Sequence, residues 1–247
     1  MTRIASHRGG TLEFGDSTPT GFRATAAMAL EEVEFDVHPT ADGAIMVHHD
    51  ATLDRTTDAS GEINALSEAQ VRAATIYYSA GEHPISMAEL CAIYRDSAVT
   101  FRCEIKPGRA GAYPDFVPSV IAELAREGML ERTGFSSFLI ASCDELMAAT
   151  DRPVLWLVSP PVLTQLGIGA VIEMAKAHGL TEIGVNIDLA DAAMMDRAQA
   201  AGLEFGCWAA HTRAQIDKAL ALGVKVFTTD RPTLAISLRD RFREARA

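Results

Sequence analysis

Val33-Glu34-Phe35-Asp36-Val37 and Val99-Thr100-Phe101-Arg102-Cys103-Glu104-Ile105-Lys106 alternate strictly between apolar and polar side chains. A period of two marks β-strands, because successive strand side chains point to opposite faces. One face of each segment is apolar. The other carries Glu34 and Asp36 in the first segment, and Thr100, Arg102, Glu104 and Lys106 in the second.

Outward from these two segments, strand-like runs alternate with helical stretches along the chain. Eight principal strands are expected, over residues 3–7, 33–37, 99–105, 135–141, 154–158, 183–186, 203–208 and 224–228. A short hairpin partner over 44–48 follows the Asp42-Gly43 turn signal. Helices are expected over 19–30, with Thr18 as N-cap and Pro19 in the first turn, and over 86–94, with Ser86 as cap and Glu89 three residues on. Further helices are expected over 67–73, 115–126, 162–177, 191–201 and 212–222, with another beginning near residue 144. Strands separated by helices at this spacing argue for parallel βα units.

The chain has 247 residues, and a (β/α)₈ barrel typically needs ~250. The expected fold class is therefore α/β, a TIM (β/α)₈ barrel forming one domain over residues 1–247. The stretch over 51–84 is the least periodic and reads as a small insertion after the second barrel strand. An open doubly wound sheet is the competing architecture. It would be expected to carry a glycine-rich phosphate loop after the first strand, and His7-Arg8-Gly9-Gly10 is not one.

Composition narrows the function classes. Apolar residues make up 48% of the chain, enough for a large core, and the formal net charge is −11. A nucleic-acid binder needs a basic footprint. The one arginine-rich stretch, Arg239, Arg241, Arg243 and Arg246, is interleaved with Asp240 and Glu244 and reads as a solvated final helix. Nucleic acid is therefore not expected as a partner, and no apolar run approaches the ~20 residues of a membrane span. The four cysteines, Cys91, Cys103, Cys143 and Cys207, are widely spaced. The first residues show no secretory signal pattern. The expectation is free, buried thiols in a reducing, cytoplasmic setting. The oligomeric state stays open, a homo-oligomer included.

In a barrel the apolar face of each strand packs on the helices, so the polar face points into the lumen. Lumens are usually filled by Val, Ile and Leu, and an unpaired buried charge costs on the order of several kcal/mol. Glu34, Asp36 and Glu104 therefore need compensation. A divalent cation would provide it, and three hard oxygen donors suit Mg²⁺ or Ca²⁺. Structural ion pairs with Arg8, Arg102 and Lys106 are the bland alternative. His7 and Arg8 end the first strand, before Gly9-Gly10, where glycines would let a ligand approach the backbone. His49 precedes Asp50 at the end of the hairpin partner. Each histidine alone is as compatible with structure as with catalysis, and His48, on the opposite face, is expected to be structural. Together, a metal, two imidazoles, an arginine and a lysine at one barrel mouth suit phosphoryl chemistry.

At this point the chain resembles the glycerophosphodiester phosphodiesterase family. The matching stretches are Ser6-His7-Arg8-Gly9, residues 33–37, Thr40-Ala41-Asp42-Gly43, residues 47–57, Glu104-Ile105-Lys106-Pro107 and residues 223–232, in the family's order. The resemblance implies a TIM barrel and a phosphoric diester hydrolase of lipid and glycerol metabolism. It implies metal ligands at Glu34, Asp36 and Glu104, a catalytic pair at His7 and His49, and phosphate held by Arg8 and Lys106. It implies hydrolysis of glycerophosphodiesters to an alcohol and sn-glycerol 3-phosphate. In the family's usual scheme the glycerol 2-hydroxyl attacks phosphorus and water then opens the cyclic phosphate, with His7 as base and His49 as acid.

The chain departs from the family pattern at two places. Gly15-Asp16-Ser17-Thr18 stands where Pro-Glu-Asn-Thr is common, and Trp208 is followed at three residues by His211 rather than Asn. Trp208 either packs on the glycerol or caps the barrel. His211 fits helix capping better than substrate contact. A relative acting on another diester, such as a lysophospholipid or a sugar phosphate, and a non-catalytic phosphate binder are the competing functions. The short insertion favours small, water-soluble diesters.

Overall fold

The computed structural model describes residues 2–245; Met1, Arg246 and Ala247, and with them the last arginine of the C-terminal stretch, lie outside the described residues. Eight parallel strands close into a barrel: β1 (Arg3–His7), β2 (Glu32–Pro39), β4 (Thr100–Ile105), β5 (Thr133–Ser137), β6 (Val154–Val158), β7 (Glu182–Asn186), β8 (Glu204–Trp208) and β9 (Val226–Thr229). β1 pairs with both β9 and β2, which completes the ring. The extra strand β3 (Ile45–Val47) pairs antiparallel with β2, as the hairpin signal predicts. This is the expected TIM barrel, and the open sheet is excluded.

The helices are α1 (Thr11–Phe14), α2 (Pro19–Ala26), α3 (Glu68–Arg72), α4 (Met87–Tyr94), α5 (Phe116–Arg126), α6 (Ile140–Ala149), α7 (Pro160–Ala177), α8 (Ala192–Ala200), α9 (Arg213–Leu222) and α10 (Pro232–Glu244). Their starts follow the chemistry of their first residues. Thr18 caps α2 by accepting the Gly21 N–H, and Ser67, Ser86 and Thr212 each form a reciprocal capping box with the Gln or Glu at the third helical position. Val33, Phe35, Val37, Phe101, Cys103 and Ile105 pack outward into the main core beneath the helices. The insertion has a smaller core of its own, around Met46, Leu53, Ile63, Val71 and Ala74.

Three local expectations need correction. The strand expected over 135–141 ends at Ser137, and α6 begins at Ile140 rather than near Asp144. An apolar run such as Phe138-Leu139-Ile140-Ala141 has no period that separates strand from helix. Here Ser137 Oγ accepts the Leu139 N–H at 3.2 Å and helps turn the chain. The final helix is not wholly solvated. Arg239 is buried, donates to Glu31 at 2.8 and 2.9 Å and to the Ala29 carbonyl at 2.8 Å, and ties α10 to the entry of β2. The four cysteines are free and buried, as expected. No helix among the described residues is long and apolar enough to cross a membrane.

The lumen carries charge in two layers. The lower one contains Arg102, whose Nε donates to Glu32 at 2.7 Å and whose Nη2 lies 3.6 Å from Glu182. Arg3 reaches Glu32 at 3.1 Å, and Lys225 reaches Glu182 at 2.7 Å. Arg102 is thus held by ion pairs, and it also forms part of the floor of the central cavity. Removing one member of such a set strands a buried charge, so Arg102→Met should destabilise the protein by ~3–5 kcal/mol. Urea denaturation with coincident midpoints for variant and parent would show that the layer contributes nothing.

Candidate active site

The upper charged layer follows from strand register. β2 and β4 pair so that Asp36 stands opposite Glu104 and Glu34 opposite Arg102, while β1 sets His7 opposite Glu34. Side chains on one face of neighbouring parallel strands must then meet. Oxygens of Glu34, Asp36 and Glu104 lie within 4.8 Å of one another, and all three residues are buried. Lys106 Nζ sits 3.0 Å from Asp36 and 2.6 Å from Glu104. Arg8 Nε lies 2.9 Å from the other Asp36 oxygen. Neither oxygen of Glu34 has a hydrogen-bond partner; its nearest basic atom is His7 Nε2, at 3.8 Å.

These groups line a cavity of about 240 Å³ at the C-terminal end of the strands, with His49, Phe138, Trp208 and His211 around it. His7, Arg8, Glu34, Glu104, Lys106, His49 and Trp208 all reach this cavity, and Asp36 stands behind Arg8 and Lys106. Trp208 packs edge-on against Phe138 at 5.5 Å, with its indole N–H unpartnered. Both imidazoles are held through Nδ1 by a carboxylate: His7 by Asp230 and His49 by Asp50. Arg55 clamps Asp50 and, at 3.2 Å, Asp16. Asp16 in turn meets Arg8 at 3.2 Å. His38, buried beneath, fixes the loop by bonding the His49 carbonyl at 3.0 Å. His48 turns away, to the Thr52 carbonyl at 3.2 Å, and is structural as expected.

Sequence reasoning misassigned two features. Gly9 and Gly10 do not open the backbone to a ligand: a Cβ on Gly9 would stand 3.0 Å from the Phe22 nitrogen, and one on Gly10 2.9 Å from Pro232. They allow β1 to pack tightly against the helices, and Arg8 before them takes a φ of 51°. His211 does not cap α9. Thr212 does so, and the His211 ring lines the cavity, its centroid 5.8 Å from that of His7. Asp230, Arg55 and His38 were missed. Asp230 lies just past the end of β9, which neighbours β1, and barrel closure was the signal that could have found it.

A sequence model of the glycerophosphoryl diester phosphodiesterase family matches residues 7–234. The chain belongs to that family. It is 25% identical over 245 residues to a glycerophosphodiester phosphodiesterase of Caldanaerobacter subterraneus, covering 96% of this chain and 97% of the relative. A crystal structure of a candidate glycerophosphoryl diester phosphodiesterase from Agrobacterium tumefaciens superposes with a TM-score of 0.98 at 71% identity, over 99% of each chain. A phosphodiesterase from Oleispira antarctica, solved with sn-glycerol 3-phosphate, shares the fold with a TM-score of 0.79 at 19% identity, over 97% of each chain.

The family's barrel mouth here has three buried carboxylates against two cations, and their proton affinities are pulled apart. Burial, with Asp36 and Glu104 close by, pushes Glu34 well above the usual carboxylate range. Burial, only partly offset by Lys106, pushes Glu104 up to about 7. Asp36 is buried too, yet Lys106 and Arg8 hold its carboxyl well below the usual range. Burial lowers both His7 and His49 from the ordinary imidazole value, against the pull of Asp230 on His7 and of Asp36 and Asp50 on His49. A group raised on folding stabilises the protein below its unfolded pKa, and that contribution is lost as pH climbs through the folded value. In EDTA, Glu104→Gln should therefore gain stability relative to the parent between about pH 5 and about pH 8. Thermal melts whose difference stays flat across that window would contradict the raised value.

Proposed function

We propose that this chain is a divalent-metal-dependent glycerophosphodiester phosphodiesterase that releases an alcohol and sn-glycerol 3-phosphate, with His7 and His49 as its proton-transfer pair. One observation carries the reading. The Glu34 carboxylate is buried with no hydrogen-bond partner, beside Asp36 and Glu104, in a cavity that two carboxylate-held imidazoles also line. Buried carboxylates in excess over local cations fit a cation ligand set, and oxygen donors alone favour Mg²⁺ or Ca²⁺. When bound there by Glu34, Asp36 and Glu104, such an ion would polarise the phosphoryl group and help offset its charge.

The chain's own groups supply the remainder. Arg8 and Lys106 hold phosphate oxygens, each already oriented by Asp36. The His7 Nδ1–H bond to Asp230 leaves Nε2 unprotonated as a base. His7 takes the proton of the glycerol 2-hydroxyl as its oxygen forms a bond to phosphorus. The bond from phosphorus to the alcohol oxygen breaks, and His49, entering the step as the imidazolium held at Nδ1 by Asp50, delivers its Nε2 proton to that oxygen. Water then opens the cyclic phosphate with the two imidazoles in reversed roles. Trp208 forms an apolar wall for the glycerol carbons. The chain acts as one barrel domain with residues 51–84 as its insertion, and its four buried free thiols support a reducing, cytoplasmic setting.

A larger alcohol, as in a lysophospholipid, is the second reading, and one feature favours it. Beyond the Asp16–Arg55 ion pair, α1 and the insertion enclose a groove of about 630 Å³, lined by exposed Leu12, Tyr77 and Tyr78. The insertion is therefore not too short to receive an apolar group.

Glycerol 3-phosphate release from a panel of glycerophosphodiesters should be abolished by EDTA and restored by Mg²⁺ or Ca²⁺. No turnover of any phosphodiester would sink the enzyme reading, and EDTA-resistant turnover would sink the metal. His49→Ala should lower kcat by ~10²–10⁴ with its circular dichroism unchanged. An unaltered rate removes His49 from the mechanism. Because Glu34 and Glu104 hold protons tightly without metal, binding near neutral pH should release protons. Calorimetric enthalpies would then vary with the ionisation enthalpy of the buffer.

A further inference from the structure

We propose that Asp230 holds two imidazoles in opposite tautomers, so that His7 offers an acceptor and His211 a donor to one hydroxyl group of the substrate. The tautomers stand on geometry alone; the hydroxyl rests on the phosphodiesterase reading above.

Asp230 uses its side chain on one ring and its main chain on the other. Its Oδ1 binds His7 Nδ1. An ionised carboxylate only accepts, so Nδ1 carries the hydrogen and the neutral ring keeps a lone pair on Nε2. The main-chain N–H of Asp230 donates to His211 Nδ1 at 3.0 Å. That nitrogen must therefore hold the lone pair, and the hydrogen of the neutral ring sits on Nε2. Asp230 Oδ2 lies 3.3 Å from the same Nδ1. The peptide N–H is both nearer and unable to rotate away, so it selects the tautomer. Both rings are neutral at about pH 8, above the ordinary imidazole range.

Both rings line the central cavity, with centroids 5.8 Å apart. A hydroxyl oxygen seated in the cavity between the rings bonds both Nε2 atoms when it stands about 2.8 Å from each. A hydroxyl both donates and accepts, whereas an ether or carbonyl oxygen only accepts. The pair thus selects a diester bearing a free hydroxyl near its phosphate. His211 orients that hydroxyl by donating to its oxygen, and His7 accepts its hydrogen. Asp230 touches neither the hydroxyl nor the phosphate and acts as a positioning residue.

The test is ¹⁵N–¹H correlation of the imidazoles in the full-length chain at about pH 8, where both are neutral, in EDTA and again with Mg²⁺. His7 should carry its hydrogen on Nδ1 and His211 on Nε2, and Asp230→Ala should release His7 toward the Nε2–H form. Adding sn-glycerol 3-phosphate should shift His211 Nε2, and its 2-deoxy analogue, 1,3-propanediol phosphate, should not. In turnover, His211→Phe should lower kcat about tenfold with KM little changed. His211→Asn, which keeps an N–H donor, should recover most of that loss. An Nε2–H tautomer for His7, an Nδ1–H tautomer for His211, or equal responses to the two phosphates would overturn the proposal. Absence of turnover in the parent chain would instead strike the activity reading, leaving the tautomers and the phosphate response to decide this one.

Discussion

The crowding of Glu34, Asp36 and Glu104 at one end of the lumen is the constraint on which the rest of the site depends. Parallel pairing of β2 and β4 sets Asp36 against Glu104 and leaves neither strand free to turn its carboxylates outward, because the other face is packed under helices. Three negative groups without water are costly. Lys106 and Arg8 converge on Asp36 to offset part of that cost. They do not reach Glu34 by hydrogen bonding, and this residual imbalance is what a cation would relieve under the proposed function.

The loops around the mouth are organised by the same charges. Arg8 links Asp36 to Asp16, Asp16 links Arg8 to Arg55, and Arg55 holds Asp50 against His49. The insertion is thereby joined to the first βα loop by ion pairs that end on an imidazole. The shortened carboxylate at Asp16 belongs to this chain of contacts and does not line the central cavity. On the opposite side, Asp230 does for His7 what Asp50 does for His49, and it reaches His211 as well.

Not all charge in the lumen serves chemistry. Arg102 shares a strand face with Glu104 and Lys106, yet it closes a lower layer with Glu32 and Glu182. Strand parity identifies a lumen-facing charge. It does not say at which height along the barrel that charge meets a partner, and height separates a structural ion pair from a ligand.

Alternation along residues 33–37 and 99–106 determined the two strands, their polar faces and, with the βα rhythm, the barrel, because those features follow from local periodicity. Caps such as Thr18 and Ser86 were legible for the same reason: an N-cap bonds groups two or three residues away. Motif order pointed to the family. Only the tertiary structure decided what depends on closure. Asp230 lies 223 positions from His7 in the chain, yet its carboxylate holds that ring because β9 pairs with β1. His211 left the helix cap to Thr212 and joined the cavity by that same closure, and Arg239 was drawn inward by Glu31. Local rules specify which way a side chain points along its own strand or helix. Which groups it then meets is set by neighbours that only the closed barrel supplies.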